Sequence, residues 1–479
     1  MTTVSTTLRE RAVEVLCDSS LAHVVDLVAW PDGDAIVVAN ADGAARLTAE
    51  GTDVTTGRNP VLVQDPLAFT PLTVELADLS PPNAINSYPD AFRRLSSLFA
   101  ASAAPDLAVV HTGSHHWPDK GGHRGEHGSL NVVQSRAPLI MSGAGVTERG
   151  FLAASARTID VAPTLAWLAG VPLARLSDMD GVALVDVLVP EAERVIGLLW
   201  DGCNSNSLYA LAKAGELPNV ARLLERGCAF VGGAIAEFPS VTLVNHTCAL
   251  TGVGPGRHGI VNNAYFDRAT AAQRLTNDAR TWHRWGEWLN PGVRTVFERV
   301  DAPTACINEP ADAGASYSTF DLVRGAGHSD GAKSMNSMLP DPREDPLATQ
   351  EYVDTDPDYA WSSSVDGIGL EQFLSLWPSR SEAPRLTWWN SLLPDTGHHA
   401  GGPHSAVAHA SMRDADSRLG VLLDHLERIG ALDGTTILLT SDHGSEGADP
   451  DCVGDWDEPL RDAGIPVRDE AYGFLYLDC

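Results

Sequence analysis

Asp201, Asp395 and Asp442 each close a stretch that begins as an apolar run: "RVIGLLWDG" (194–202), "LTWWNSLLPD" (386–395) and "TTILLTSDHG" (435–444). Three histidines accompany them. His443 follows Asp442 directly, His399 lies in "PDTGHHAGGPHS", and His127 lies far upstream in "GEHGSL" (125–130). Carboxylate oxygen and imidazole nitrogen without thiolate form a ligand set that suits zinc, and also manganese or iron(II). These six groups are enough for two cations with open positions. Two divalent cations about 4 Å apart are the usual device for in-line displacement at phosphorus. One aspartate at a strand end is ordinarily a helix cap or a turn former. The Asp442-His443 pair with a glycine behind it, together with "PDTGHHAGGPHS", is harder to assign to chance.

A nucleophile is available in "EFPSVTLVNHT" (237–247), where an apolar stretch gives way to a helix starting near Val241. A hydroxyl in a first helical turn lies where free N–H groups and the helix dipole stabilise an anion. Thr242 is placed to become a metal-activated alkoxide that attacks phosphorus. The plainer reading makes Ser240 an N-cap and Thr242 an ordinary first-turn residue.

The elements that must hold these residues alternate. A short helix is expected at 6–17, then a small β-meander through "HVVDLVAW", "DAIVVAN" and "GAARLTA". "DLAVVHT" (106–112) reads as a buried strand running into a Gly/His loop, "APLIMSG" (137–143) as a strand, and "RTIDVAPTLAWLAG" (157–170) as a helix. A boundary falls near 188–194, and the strand that ends in Asp201 follows. "NVARLLERG" reads as a helix, "AIAEFPS" as a strand, and "VTLVNHTCALTG" as a helix. Residues 264–385 are weakly periodic and rich in Pro, Asp, Trp and Ser, as in a cap over a site. A strand, "AYGFLYL" (472–478), is expected at the end. Strand–helix alternation predicts an α/β fold: a three-layer α/β/α sandwich around a mostly parallel sheet. Functional residues then collect beyond the carboxyl ends of its strands.

The bulk numbers narrow the partners. The 479 residues allow one large domain with insertions. Lys+Arg is 33 against Asp+Glu 63, a formal net charge of -30. Such a field repels nucleic acid polymers and membrane surfaces but admits a small phosphorylated substrate, whose charge metal cations reverse locally. The start "MTTVSTTLRERAVEVL" has no basic segment followed by an apolar one, so no signal peptide is expected. The seven scattered cysteines read as reduced thiols of a cytoplasmic protein.

"LLWDG", "FPSVTLVNHTCALTGVGPGRHGIVNNAYFD", "PDTGHHAGGP" and "TSDHG" resemble the alkaline phosphatase superfamily, and within it the type I phosphodiesterase/nucleotide pyrophosphatase branch. The motifs span residues 194–479. The resemblance implies an alkaline phosphatase-like fold and two divalent cations, zinc foremost, with manganese or iron(II) as alternatives. Asp201, Asp442 and His443 would hold one cation, with Thr242 as the nucleophile on it. Asp395 and His399 would hold the other. Asn263 matches the asparagine that contacts a phosphoryl oxygen and stabilises developing charge. A histidine, His398, replaces the glycine that precedes the ligand in that family, so His398 is an alternative to His399.

The resemblance also implies a further histidine for the second cation, from a G-x-H-G loop near the C-terminus. No histidine follows His443. The missing piece resembles residues 106–187, with "GEHGSL", "APLIMSGAGV" and "RTIDVAPTLAWLAGVP" in that order. The chain therefore reads as a circular permutation. Residues 1–193 correspond to the family's C-terminal segment and 194–479 to its N-terminal and central segments, with the cap at about 264–385. His127 becomes the third ligand of the second cation, and His111, His115, His116 and His123 are its rivals. The expected activity is hydrolysis of small phosphodiesters or nucleotide pyrophosphate-type substrates through a phospho-threonine intermediate. A phosphonoacetate-like hydrolase shares the same ligands, and a catalytically silent metal or nucleotide binder shares the fold. Sulfatase-type chemistry is disfavoured, because no C-x-P-x-R stands at the nucleophile. Trp282, Trp285 and Trp288 could stack a base, or pack the core.

Overall fold

The computed structural model describes residues 6–77, 85–118 and 121–477. Residues 1–5, the first part of the stretch read above for a signal peptide, and the last residue of the strand expected at 472–478 lie outside them.

An eight-stranded sheet forms the centre. Its order is Tyr317–Ser318, Thr304–Ile307, Leu386–Ser391, Arg194–Trp200, Thr435–Thr440, Leu139–Gly143, Gly227–Phe230, Gly150–Leu152. Neighbours pair in parallel except at Leu139–Gly143, which is antiparallel to both strands beside it. The three middle strands are buried almost throughout, as near-continuous apolar runs require when both faces of a sheet are covered. Side chains alternate between the faces. Val195 and Leu199 pack into one apolar core with Leu165, Leu243 and Leu250. Ile196 and Leu198 pack into the other with Leu208, Leu223, Phe373 and Leu419. The sheet thus has helices on both faces, as the three-layer reading expects.

Local chemistry fixes several helix ends. Ser205–Ala214 starts where the Asn204 side chain accepts from Ser207 N–H, and it stops at Gly215 with φ 82. The helix Thr242–Thr251 follows Val241, not Ser240. The Ser240 hydroxyl instead donates to the Ser129 carbonyl at 2.8 Å.

The β-meander is larger than expected. A second sheet has seven antiparallel strands in the order Val467–Glu470, Phe474–Leu477, Leu107–His111, Val25–Asp32, Ala35–Asn40, Gly43–Thr48, Gly51–Gly57. "DLAVVHT" belongs here rather than to the central sheet, although its buried run is what a parallel central strand also shows. The C-terminal strand pairs beside it, and the helix Thr6–Leu16 shares an apolar cluster with that strand.

Part of the stretch expected to be a cap builds the core instead. Thr304–Ile307 and Tyr317–Ser318 extend the central sheet, and the helix Pro357–Leu376 buries Leu370 and Phe373 in the second core. Its Ser, Asp and Gly content hid the helical period. The hairpin Ala264–Asp267 with Ala272–Leu275 and the short turns near Trp282 remain outside the sheet. "AIAEFPS" supplies a strand only at Ala234–Ile235.

Candidate metal centre

Three neighbouring parallel strands, Leu386–Ser391, Arg194–Trp200 and Thr435–Thr440, end on one edge of the central sheet. Asp201 follows the middle strand directly, and Asp442 follows its neighbour after one serine. Asp395 is not at a strand end: it lies in the first turn of the helix Leu393–Gly401, four residues before His399. "PDTGHHAGG" is therefore a helical motif, and the i, i+4 spacing puts both side chains on one face.

The loop of residues 111–130 reaches this edge through a short pairing of Gly125–Glu126 with Glu446–Gly447. Two of its glycines are sterically required. A Cβ on Gly125 would lie 2.4 Å from the His398 carbonyl. Gly128, at φ +105, would place one 2.4 Å from the Tyr472 ring. Between them His127 is carried into the centre.

Three imidazoles share one orientation. Nδ1 of His127 meets the Ser240 carbonyl at 3.1 Å, Nδ1 of His399 the Gly125 carbonyl at 2.8 Å, and Nδ1 of His443 the Gly444 carbonyl at 2.8 Å. A carbonyl accepts only from N–H, so each Nδ1 donates and each Nε2 faces inward, the arrangement of metal-ligating histidines. Nε2 of His399 is 3.2 Å from Asp395 Oδ2, and Nε2 of His443 is 3.0 Å from Asp442 Oδ2. Asp201 Oδ1 and Asp395 Oδ1 are buried and have no hydrogen-bond partner among the described residues. Orphaned carboxylate oxygens beside inward-facing imidazole nitrogens fit divalent cations.

The potential ligand atoms fall into three groups, each with its atoms within 4.8 Å of one another: His127 with Asp395 and His443; Asp201 with His246 and Asp442; His123 with Glu126 and His399. The six residues read from the sequence as ligands are thus all present in these groups, and His443, grouped here with His127 and Asp395, also has Nε2 3.0 Å from Asp442 Oδ2. His443 bridges toward His127, their rings stacked at 3.9 Å. His246 joins the Asp201–Asp442 pair, with Nε2 at 3.4 Å and 3.6 Å from them. His246 escaped the sequence reading, although its position one helical turn after Thr242 was a signal. Glu309, 2.9 Å from His246 Nδ1, had no such signal.

Electrostatics follow from burial. Burial pushes the Asp201 carboxyl up, Asp442 adds to it, and its pKa reaches about 7. Burial lowers the His399 and His443 imidazoles, but Asp395 and Asp442 outweigh it and hold both at about 9. Burial, then His443, keeps His127 well below the usual range and therefore neutral. Burial holds His398 at about 3. His398 is fully buried and its ring nitrogens meet no partner among the described residues, so His399 is the one that faces Asp395.

The other loop histidines do not share one role. His111 contacts the His127 carbonyl at 3.2 Å, His115 the Gly454 carbonyl at 3.1 Å, and His116 the His123 carbonyl at 3.0 Å. They are buried supports of the loop, not solvated side chains. The His123 ring lies 3.9 Å from that of His399, tilted by 40°.

Thr242 is the first residue of its helix and 7% exposed, at the wall of a pocket that also includes Asp201 and His246. The Asn263 side-chain oxygen accepts from Leu243 N–H at 3.2 Å, which holds the carboxamide against the same helical turn. Trp285 is a core residue whose indole donates to Thr247 at 2.9 Å, whereas Trp282 lines the pocket.

Comparison with known proteins gives a family match over 195–479, to the family described as type I phosphodiesterase / nucleotide pyrophosphatase. An uncharacterized pyrophosphatase/phosphodiesterase of Schizosaccharomyces pombe is 36% identical over 113 residues, 22% of this chain and 22% of that protein. The alkaline phosphatase PafA of Elizabethkingia meningoseptica is 34% identical over 103 residues, 21% of this chain and 18% of that protein. The chain thus spans less than a quarter of either curated relative. Among solved structures, an inactive variant of murine ectonucleotide pyrophosphatase / phosphodiesterase 5, in complex with AMP, is similar at 16% identity and TM-score 0.38, covering 58% of this chain and 64% of that one. Phosphonoacetate hydrolase from Sinorhizobium meliloti is similar at 21% identity and TM-score 0.35, covering 54% and 58%.

Proposed function

Because the chain belongs to the type I phosphodiesterase / nucleotide pyrophosphatase family, we propose that it is a two-cation phosphoester hydrolase acting on small phosphodiesters or nucleotide pyrophosphate-type substrates. The observation that carries this reading is the position of Thr242. It opens a helix and lines one pocket with Asp201 and His246, whose potential ligand atoms group with Asp442 within 4.8 Å. Asp201, Asp442 and His443 would hold one cation, and Asp395, His399 and His127 the other. Zinc is the first candidate, and manganese and iron(II) share the ligands. When bound, the cations supply Lewis acidity that favours the Thr242 alkoxide and offsets the charge of the phosphoryl group.

The chain's own residues supply the rest. The Thr242 oxygen attacks phosphorus, the Thr242 Oγ–P bond forms, and the ester bond to the leaving group breaks; that group departs as its alcohol after taking a proton. The first-turn N–H groups other than that of Leu243, which donates to Asn263, and the NH₂ of the Asn263 carboxamide would face the anionic oxygens, where fixed dipoles stabilise developing charge. Water then attacks the phospho-threonine, restoring the hydroxyl and releasing the phosphomonoester. Rapid quench of a 4-nitrophenyl phosphodiester reaction, followed by mass spectrometry, should find phosphate on Thr242. Thr242→Ala should bind metal but turn nothing over. A variant that keeps its rate would falsify the nucleophile assignment.

The same reading includes a permuted order of segments. Its support is that residues 125–143 furnish both His127 and the strand beside Thr435–Thr440.

A further inference from the structure

Tyr472 carries a phenol to the candidate metal centre from the second sheet, in the turn that joins Val467–Glu470 to Phe474–Leu477. Its backbone is left-handed, at φ 55 and ψ 39, which is unusual for an aromatic residue. Its surroundings hold it there. Asn262, next to Asn263, donates through its side chain to the Ala471 carbonyl. The ring fills the room that Gly128 leaves, and it packs against a buried cluster that includes Val241 and Val244, one on each side of Thr242 in the chain. The ring centroids of Tyr472 and His127 are 5.3 Å apart. The hydroxyl ends 3.5 Å from His127 Nε2, a long contact and its one hydrogen-bond partner among the described residues. His127 Nδ1 donates to the Ser240 carbonyl, so Nε2 carries the ring's free lone pair and the phenol O–H is the donor. That lone pair serves a proton donor or a cation, not both. With a cation on His127, the phenol O–H has no acceptor left among the described residues, and an unmatched donor in such a place is costly.

We propose that Tyr472 is a further catalytic residue, and that its hydroxyl donates to a non-bridging phosphoryl oxygen of the substrate. The inference rests on the phosphoester reading above and deepens it. The phosphoryl oxygens are the acceptors that the reaction brings to the centre, and they gain charge as phosphorus is attacked. A hydrogen bond from O–H to an anionic oxygen is short and roughly twice as strong as a neutral one. A phenol also suits the place. It adds a donor without adding a charge, and its rigid ring holds the oxygen where packing puts it. The two carboxamide and phenol donors divide the work: Asn263 is held against the first turn of the Thr242 helix, whereas Tyr472 stands beside His127.

Tyr472→Phe tests this, because it removes one oxygen and keeps the ring. The metal-loaded variant should hold the wild-type complement of cations in elemental analysis. Calorimetry with inorganic phosphate on the Thr242→Ala background separates binding from turnover. Adding Tyr472→Phe to that background should weaken phosphate by about tenfold or more, as losing a hydrogen bond to a charged group does. On a 4-nitrophenyl phosphodiester, kcat of the single variant Tyr472→Phe should fall at least about tenfold. An unchanged phosphate affinity, an unchanged kcat, or no phosphate binding to either protein overturns the assignment. Loss of a cation from Tyr472→Phe overturns it too, since the phenol would then serve the metal and not the substrate. If the wild type turns over no diester, the hydrolase reading fails, and the phosphate affinities alone decide about Tyr472. Should Tyr472→Phe not fold, Thr242→Ala decides: added phosphate should shift tyrosine absorption to longer wavelength, as O–H donation to an anion does, and no shift overturns the proposal.

Discussion

His246 and Glu309 form a buried pair, 2.9 Å from imidazole Nδ1 to carboxylate oxygen, and the pair turns the other ring nitrogen toward both Asp201 and Asp442. Glu309 is itself held by Trp388 Nε1 at 3.2 Å and by Ala311 N–H at 3.0 Å. A histidine oriented by a carboxylate is a common support for a metal site, and losing such a support typically costs about 10–100-fold in metal affinity. Glu309→Gln should therefore weaken cation binding by about that factor while leaving the far-ultraviolet circular dichroism unchanged. Competition with a chelator of known affinity measures it. An affinity within twofold of wild type sinks the idea.

His127 and His398 separate in a second experiment. His127 faces Asp395 and His443 within one ligand group, whereas His398 contacts no partner through its ring among the described residues. His127→Ala should lose about one equivalent of bound metal per chain in elemental analysis. His398→Leu should keep the full complement, because an apolar side chain suits its buried site. Loss of metal from His398→Leu alone would reverse the assignment.

How far the sequence reaches is best judged residue by residue. The candidate ligands Asp201 and Asp442 were legible because long runs such as "LLWDG" and "TILLTSDHG" read as buried strands, and a carboxylate at the end of such a run stands out. The rest depended on contacts distant in the chain. Nothing local marks Glu309 as the partner of His246, since 63 residues separate them. "DLAVVHT" looks the same whether it enters a parallel or an antiparallel sheet, and only the pairing with Val25–Asp32 decides. The helix Pro357–Leu376 was hidden for a different reason. Its buried face includes Ser362, Ser363 and Asp366, which carry no hydrophobic period.

Glu446 predicts a pH dependence of stability. It is fully buried, accepts from Asn131 at 3.0 Å and Gln134 at 3.3 Å, and burial raises its pKa from 4.5 to about 8. A carboxyl raised on folding contributes stability that is complete below pH 4.5 and is lost as the pH climbs through about 8. Glu446→Gln keeps the accepting oxygen and removes the titration. Urea denaturation at pH 5 and pH 8.5 should show a smaller decline for the variant, by up to about 1.4 kcal/mol per pH unit within the window. Equal declines would place the titrating group elsewhere.

The permuted order of segments makes the most demanding prediction. If residues 1–193 stand for the family's closing segment, the break at 190–193 is an accident of order and not a domain boundary. The present ends support rejoining: Ala12 and Leu16 of the first helix share a buried cluster with Leu475 and Leu477. The opening point is exposed at Glu191 and Glu193, as tolerated break points are. A chain that starts at Arg194, runs to Cys479, continues through a short Gly/Ser linker to Met1 and ends at Pro190 should fold and bind the same number of metal ions. Its melting temperature should stay within several degrees of the original. Residues 1–193 made alone should give no cooperative transition, because their strand Leu139–Gly143 is flanked on both sides by strands from beyond residue 194. A cooperative melt for that fragment would show it to be a domain in its own right, and the permutation would fall.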